Sequence, residues 1–120
     1  MIASKLEAPN VVVKLYAGYS SVVLPSLTNR FDLIVIDGGH SYETVKDDFA
    51  NSLDLLADGG FIFFDDYTNS RGVTKGRFGI NQVVSEISKR DFQITVSKNR
   101  DWFLKEYGVL ELRMVKVTRR

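Results

Sequence analysis

Phe31-Asp32-Leu33-Ile34-Val35-Ile36-Asp37-Gly38-Gly39-His40-Ser41-Tyr42-Glu43 is the stretch on which the reading of the whole chain turns. Leu33 to Ile36 is a continuous apolar run, and Ile34, Val35 and Ile36 are β-branched. That is the pattern of a strand covered on both faces. Polar chemistry begins abruptly at Asp37, two glycines let the backbone turn closely, and His40 follows. In open parallel sheets, ligands bind beyond the carboxyl ends of the strands. A carboxylate and an imidazole at such an end are therefore site candidates.

Outward from this stretch, the chain reads as alternating strands and helices. Toward the N-terminus, Asn10–Leu15 is strand-like through Val11, Val12 and Val13. Met1 to Pro9 reads as a frayed lead or partial helix, and Gly18 is the flexible point of a turn over Tyr16–Tyr19. Ser20 is placed to cap a short helix carrying Val22, Val23 and Leu27, with Pro25 limiting its start. Toward the C-terminus, Ser41 is a good N-cap, with Glu43 in the first turn. Tyr42, Val45, Phe49, Leu53 and Leu56 form one apolar helical face, and Gly59-Gly60 reads as the close of that helix. Phe61–Phe64 is a second buried strand that ends, like the first, in carboxylates: Asp65 and Asp66. A long connection, Tyr67 to Gly79, carries Arg71, Lys75 and Arg77; these could steer an anionic substrate or form a solvated loop. Ile80, Val83, Val84 and Ile87 have helical spacing. Phe92–Ser97 reads as a strand, Lys98–Tyr107 as a connection in which Trp102 and Phe103 line a pocket or, the favoured reading, plug the sheet edge, and Val109–Val117 as a final antiparallel strand. The pattern β-α-β-α-β-α-β-β implies a mainly parallel sheet with right-handed crossovers.

Composition narrows the class. The chain has 120 residues, enough for one domain with a real core. Its net charge of +1 offers no broad electrostatic case for nucleic acid or membrane. No apolar run approaches the roughly 20 residues that span a bilayer. The N-terminal residues lack the apolar core of a signal peptide. The absence of cysteine excludes disulfides and thiolate metal sites and fits a reducing, cytoplasmic setting.

Two strands joined by one crossover are commonly neighbours, so Asp37, Asp65 and Asp66 should converge. Clustered carboxylates repel one another unless a cation lies among them, and an oxygen-only donor set favours a hard ion of the magnesium type. The alternative is that these aspartates cap segments or bond loop amides. His40, the single histidine, could act as a general base or could cap the helix and pack on Tyr42. The chain has neither a G-x-G-x-x-G after a strand nor a P-loop.

The segments FDLIVIDGGHSYETVKDDF and LDLLADGGFIFFDDY together resemble the class I S-adenosylmethionine-dependent methyltransferases, in the group with a D-G-x-H-x-Y-E segment and a later GG-x-x-x-x-DDY segment. The resemblance implies a Rossmann-like α/β fold with an antiparallel last strand. It implies a magnesium-type ion on Asp37, Asp65 and Asp66, with His40 as base, activating a hydroxyl of a small-molecule acceptor. Gly18, Tyr19, Ser20 and Gly38 fall in the positions implied for the cofactor, S-adenosylmethionine, although Tyr19 stands where many members carry an acidic residue. The family's glycine-rich loop and ribose-binding acid have no counterpart here. The expectation is one truncated domain, residues 1–120, of about five strands, mostly parallel.

Without the family's first two strands, Asn10–Leu15 has no native neighbour. It either moves beside Leu33–Ile36, giving a sheet in the order 1-2-3-5-4 counted along the chain, or swaps into a second copy. Either outcome leaves apolar surface exposed, so a homodimer is expected. Two rivals to the metal-assisted O-methyltransferase stand: a non-catalytic methyltransferase-like dimerisation or binding module, and a cation-dependent hydrolase using the same aspartates.

Overall fold

A computed structural model describes residues 4–68, 79–98, 101–105 and 108–120, with side chains of 101–111 left aside. The chain forms β1 (Ser4–Ala8), β2 (Val11–Leu15), α1 (Ser20–Val23), a 3₁₀ turn (Leu24–Ser26), β3 (Phe31–Ile36), α2 (Tyr42–Leu55), β4 (Leu56–Thr68), α3 (Gly79–Glu86), β5 (Phe92–Val96), β6 (Asp101–Lys105) and β7 (Gly108–Arg119).

The main sheet runs β3-β4-β7-β5, with β6 also paired to β7 beyond the end of β5. The β3/β4 pair is parallel, and β7 is antiparallel to β4, β5 and β6. Only β7 is therefore reversed among the sheet's strands, in agreement with the expected architecture. The strands read as 2-3-5-4 fall in that order. The connection expected over Lys98–Tyr107 holds instead a strand, β6, pairing from Asp101↔Leu112 to Lys105↔Gly108. The proposed plug, Trp102 and Phe103, lies outside the described side chains, as do Arg71, Lys75 and Arg77 of the long connection.

One face of the sheet carries the core. Ile36, Ile62, Phe64, Val115 and Val117 meet Val45 of α2 and Ile80, Val83 and Val84 of α3, with Ile87 just beyond. Phe49 bridges helix and sheet, its ring 5.4 Å from that of Phe64 and 6.1 Å from that of Phe92. Such aromatic pairs contribute about 0.5–1.5 kcal/mol beyond their burial.

Helix α2 starts as read: the Ser41 hydroxyl accepts the Thr44 amide at 3.2 Å. Its end does not lie at Gly59-Gly60. The helix stops at Leu55 and β4 begins at once, with Phe31 paired to Leu56 before the register shifts to Leu33↔Phe61. The glycines sit inside that irregularity: Gly59 has φ +76, and a Cβ on Gly60 would lie 2.9 Å from the Asp32 carbonyl oxygen. The carbonyls at the end of α2 are met by arginines. Arg30 donates to Asp54 O at 2.5 Å and Arg119 to Leu53 O at 2.6 Å, as the negative end of a helix favours.

The N-terminal segment departs most from expectation. Ser4–Ala8 is a strand, and Val11–Leu15 does not join β3. Instead β1 and β2 form their own antiparallel hairpin, with Leu6↔Val13 and Ala8↔Val11 as partners. Pro9-Asn10 makes the turn, with Asn10 at φ 66. Proline followed by a residue with positive φ is the type II pattern. Ser20 also differs from its reading: Tyr19 is the N-cap of α1, without a side-chain bond, and Ser20 is the first helical residue. The edge strand β3 consequently has β4 as its one partner among the described residues.

Candidate functional site

The carboxyl ends of β3 and β4 lie side by side because those strands pair in parallel up to Ile36↔Phe64. Asp37 and Asp65 are the next residues on each. One carboxylate oxygen from each of Asp37, Asp65 and Asp66 lies within 4.8 Å of the others. At an effective dielectric near 20, like charges at that spacing repel by about 3 kcal/mol per pair, less where solvent screens them. Asp37 is exposed, Asp66 half-buried and Asp65 buried.

A bulge sets their directions. Between Phe64↔Val115 and Tyr67↔Arg113, β4 has one residue more than β7. The extra length falls at Asp65-Asp66, where Asp66 takes φ 62 and its amide donates to Asp65 Oδ1 at 2.9 Å. A bulge lets successive side chains escape strict alternation, so neighbouring aspartates can both turn toward Asp37. A non-glycine residue held at positive φ beside a site stores strain that the surroundings must hold.

His40 lies in the same mouth, Nε2 3.8 Å from Asp66 Oδ2. Its backbone is anchored from α3: the Gly79 amide donates to His40 O at 2.6 Å. A Cβ on Gly79 would come within 2.3 Å of the Tyr42 backbone, so only glycine permits this approach. Tyr42 OH donates to Glu86 Oε2 at 2.6 Å, tying the start of α2 to the end of α3. That bond, with the adjacent negative charge of Glu86, raises the Tyr42 pKa. Asn81 completes the frame: its side chain accepts the Thr68 amide and donates back to Thr68 O. Gly79 and Asn81 were missed by sequence reading because each acts on backbone groups remote in the chain.

Two of the residues expected as cofactor contacts, Ser20 and Gly38, meet at another carboxylate, Asp48. It sits on the buried side of α2, 7 % exposed, and accepts the Ser20 hydroxyl at 2.5 Å. Gly38 faces the same side chain; a Cβ there would lie 3.7 Å from Asp48 Oδ2. Ser20 and Gly38 thus flank one buried group. Gly18, at φ 129, supplies the turn before α1, and Tyr19 stands 84 % exposed at the helix start. The expected apolar face of α2 packs on the core through Tyr42, Val45, Phe49 and Leu53, and the buried residues of the helix also include Asp48, Ser52 and Leu55.

A mainly parallel α/β sheet with a reversed last strand and acidic groups at its carboxyl edge defines a Rossmann-like architecture. The methyltransferase domain family matches residues 2–67, and the chain belongs to that class I S-adenosylmethionine-dependent family. Over 65 residues it is 35 % identical to an uncharacterized protein, R132, of Acanthamoeba polyphaga mimivirus, covering 54 % of this chain and 29 % of that protein. Among solved structures, a putative rRNA-methylase from Clostridium thermocellum superposes with TM-score 0.64 at 11 % identity, over 88 % of this chain and 60 % of that one. The O-methyltransferase from Bacillus cereus, in complex with SAH, gives TM-score 0.53 at 18 % identity, over 78 % of this chain and 43 % of that one. The structural likenesses establish the fold, and the chain spans less than two thirds of each of these relatives. No helix among the described residues is long and apolar enough to cross a membrane.

Proposed function

We propose that the protein transfers a methyl group from S-adenosylmethionine to a hydroxyl of a small-molecule acceptor, assisted by a divalent cation at Asp37, Asp65 and Asp66. The observation that carries this reading is the convergence of those carboxylates within 4.8 Å at the ends of neighbouring parallel strands, on a methyltransferase fold. An all-oxygen donor set suits a magnesium-type ion, which when bound lowers the pKa of an acceptor hydroxyl and orients it.

The chain's own residues have distinct tasks. Asp65 is buried and holds the Asp66 amide, fixing the bulge. Asp37 is exposed at the mouth, where an acceptor enters. His40 takes the hydroxyl proton, imidazole being suited to that near neutral pH. Gly18, Tyr19, Ser20 and Gly38 form one wall for the cofactor, with Asp48 positioning Ser20. The net charge of +1 favours a small acceptor over nucleic acid or a membrane surface. The absence of cysteine agrees with a cytoplasmic setting.

A second reading is a methyltransferase-like binding module without catalysis. It is favoured by the lack of a G-x-G-x-x-G in the chain. Transfer of labelled methyl from S-adenosylmethionine to a panel of small-molecule hydroxyls, with magnesium or with chelator, separates the two. Magnesium-dependent transfer lost in Asp37→Asn supports the enzyme. No transfer, together with no cofactor binding, supports the module.

A further inference from the structure

Among the described residues two apolar faces stand uncovered, one on the β1–β2 hairpin and one on the main sheet. On the hairpin, cross-strand partners share a face, so Leu6, Ala8, Val11, Val13 and Leu15 lie together. Of these, Leu6, Val11, Val13 and Leu15 are 69 %, 54 %, 51 % and 60 % exposed. The opposite face carries Lys5, Glu7 and Lys14 around a single apolar residue, Val12, with a Lys5–Glu7 ion pair at 2.7 Å. Lys5, Val12 and Lys14 line an open groove shared with Ser26 to Asn29 and Phe31. The hairpin therefore turns its polar face to its own chain and its apolar face away.

The second surface is the face of the main sheet opposite α2 and α3. Leu33↔Phe61 and Val35↔Phe63 share that face. Among the described residues no helix or strand lies over it. Phe31, Leu33, Val35 and Phe61 are 37 %, 56 %, 55 % and 39 % exposed, and the Lys116 ammonium reaches over the Phe61 ring at 4.9 Å.

We propose that a second copy of this chain covers the sheet: the apolar face of each β1–β2 hairpin packs on the bare sheet face of the other copy, reciprocally, in a two-fold dimer. Two sheets stacked face to face sit about 10 Å apart, with their inner side chains interdigitated. Taking the lower bound for an aromatic side chain, about 150 Å², as the scale for each of these residues, their exposed fractions leave on the order of 700 Å² per copy. A reciprocal pair would remove about 1,400 Å², within the roughly 1,200–2,000 Å² of stable interfaces. A single hairpin-on-sheet contact would fall below that range, which favours a closed exchange over an open chain of copies. The interface stands apart from the methyl-transfer reading and does not depend on it.

Sedimentation at about 10 μM, compared with Val13→Lys and Val35→Lys, tests this directly. Both positions are exposed, so circular dichroism should show the folded monomer intact. The wild-type chain is expected at twice the monomer mass, with each variant weakening dimerisation at least tenfold. The chain has no cysteine, so Val13→Cys and Val35→Cys introduce unique thiols. On oxidation, an equimolar mixture of those variants should give a covalent dimer of unlike chains. A monomeric wild type overturns the proposal, as do crosslinks confined to like chains. A Val13→Cys/Val35→Cys double variant that closes its disulfide within one chain also overturns it, by showing that the hairpin covers its own sheet.

Discussion

The Ser20–Asp48 bond offers a quantitative test of how the site is held. The acceptor is an aspartate 7 % exposed on α2, the donor is the first residue of α1, and the separation is 2.5 Å. Water hardly competes at such a position, and hydrogen bonds to charged groups contribute about 1.5–3 kcal/mol. Ser20→Ala removes the donor and leaves the carboxylate short of a partner, so the expected loss is in that range. For a chain of 120 residues, an unfolding entropy near 2.1 cal/mol/K per residue converts each kcal/mol to about 4 °C in Tm. Ser20→Ala should therefore lower Tm by about 6–12 °C. Asp48→Asn keeps an acceptor but loses the charge, and should cost about half as much. The informative quantity is the coupling in a double-mutant cycle of Ser20→Ala with Asp48→Ala, read by urea denaturation. It should be about 1–2 kcal/mol, because the residues touch. Additivity within about 0.3 kcal/mol would refute the claim that this bond joins the Gly18–Ser20 turn to α2.

Other perturbations have equally definite outcomes. Gly79→Ala places a Cβ within 2.3 Å of the Tyr42 backbone and breaks the seat of the His40 carbonyl; it should cost about 2–4 kcal/mol in chemical denaturation. Asp66→Gly relieves a positive φ and should raise stability by roughly 0.5–1 kcal/mol while weakening magnesium binding in calorimetry, opposite signs that separate strain from ligation. The Tyr42 pKa is raised, chiefly by its bond to Glu86, so the protonated phenol is favoured in the fold. That contribution is present below the ordinary tyrosine pKa near 10 and is lost as pH rises through the folded value. Stability should fall above about pH 10, and the fall should shrink in Tyr42→Phe, followed by thermal melts and tyrosinate absorbance.

Much of the architecture is written in local pattern. The β-branched run of β3, the Ser41 cap and the spacing of Ile80, Val83, Val84 and Ile87 each specify their element through nearest neighbours. Strand order then follows from crossover rules, and with it the meeting of Asp37 with Asp65 and Asp66. What escaped was set by contacts between distant residues. Ser4–Ala8 has little β propensity; it is a strand because Pro9-Asn10 turns it back on Val11–Leu15. The Pro-Asn pair between alternating apolar residues was the available signal. The burial of Asp48 has no local signal, because its partner, Ser20, lies 28 positions away. The Gly59-Gly60 step marks a bulge rather than a helix end, since Gly60 must pass close to Asp32 of the neighbouring strand.

The central claim is that the Asp37–Asp65–Asp66 cluster and the Gly18–Ser20 turn belong to one methyl-transfer site. Calorimetric titration of S-adenosylmethionine into the chain, with and without magnesium, tests it most directly. The account predicts saturable cofactor binding, together with a magnesium heat that disappears in Asp65→Ala. No cofactor binding in either condition, or magnesium binding unchanged by Asp65→Ala, would contradict it.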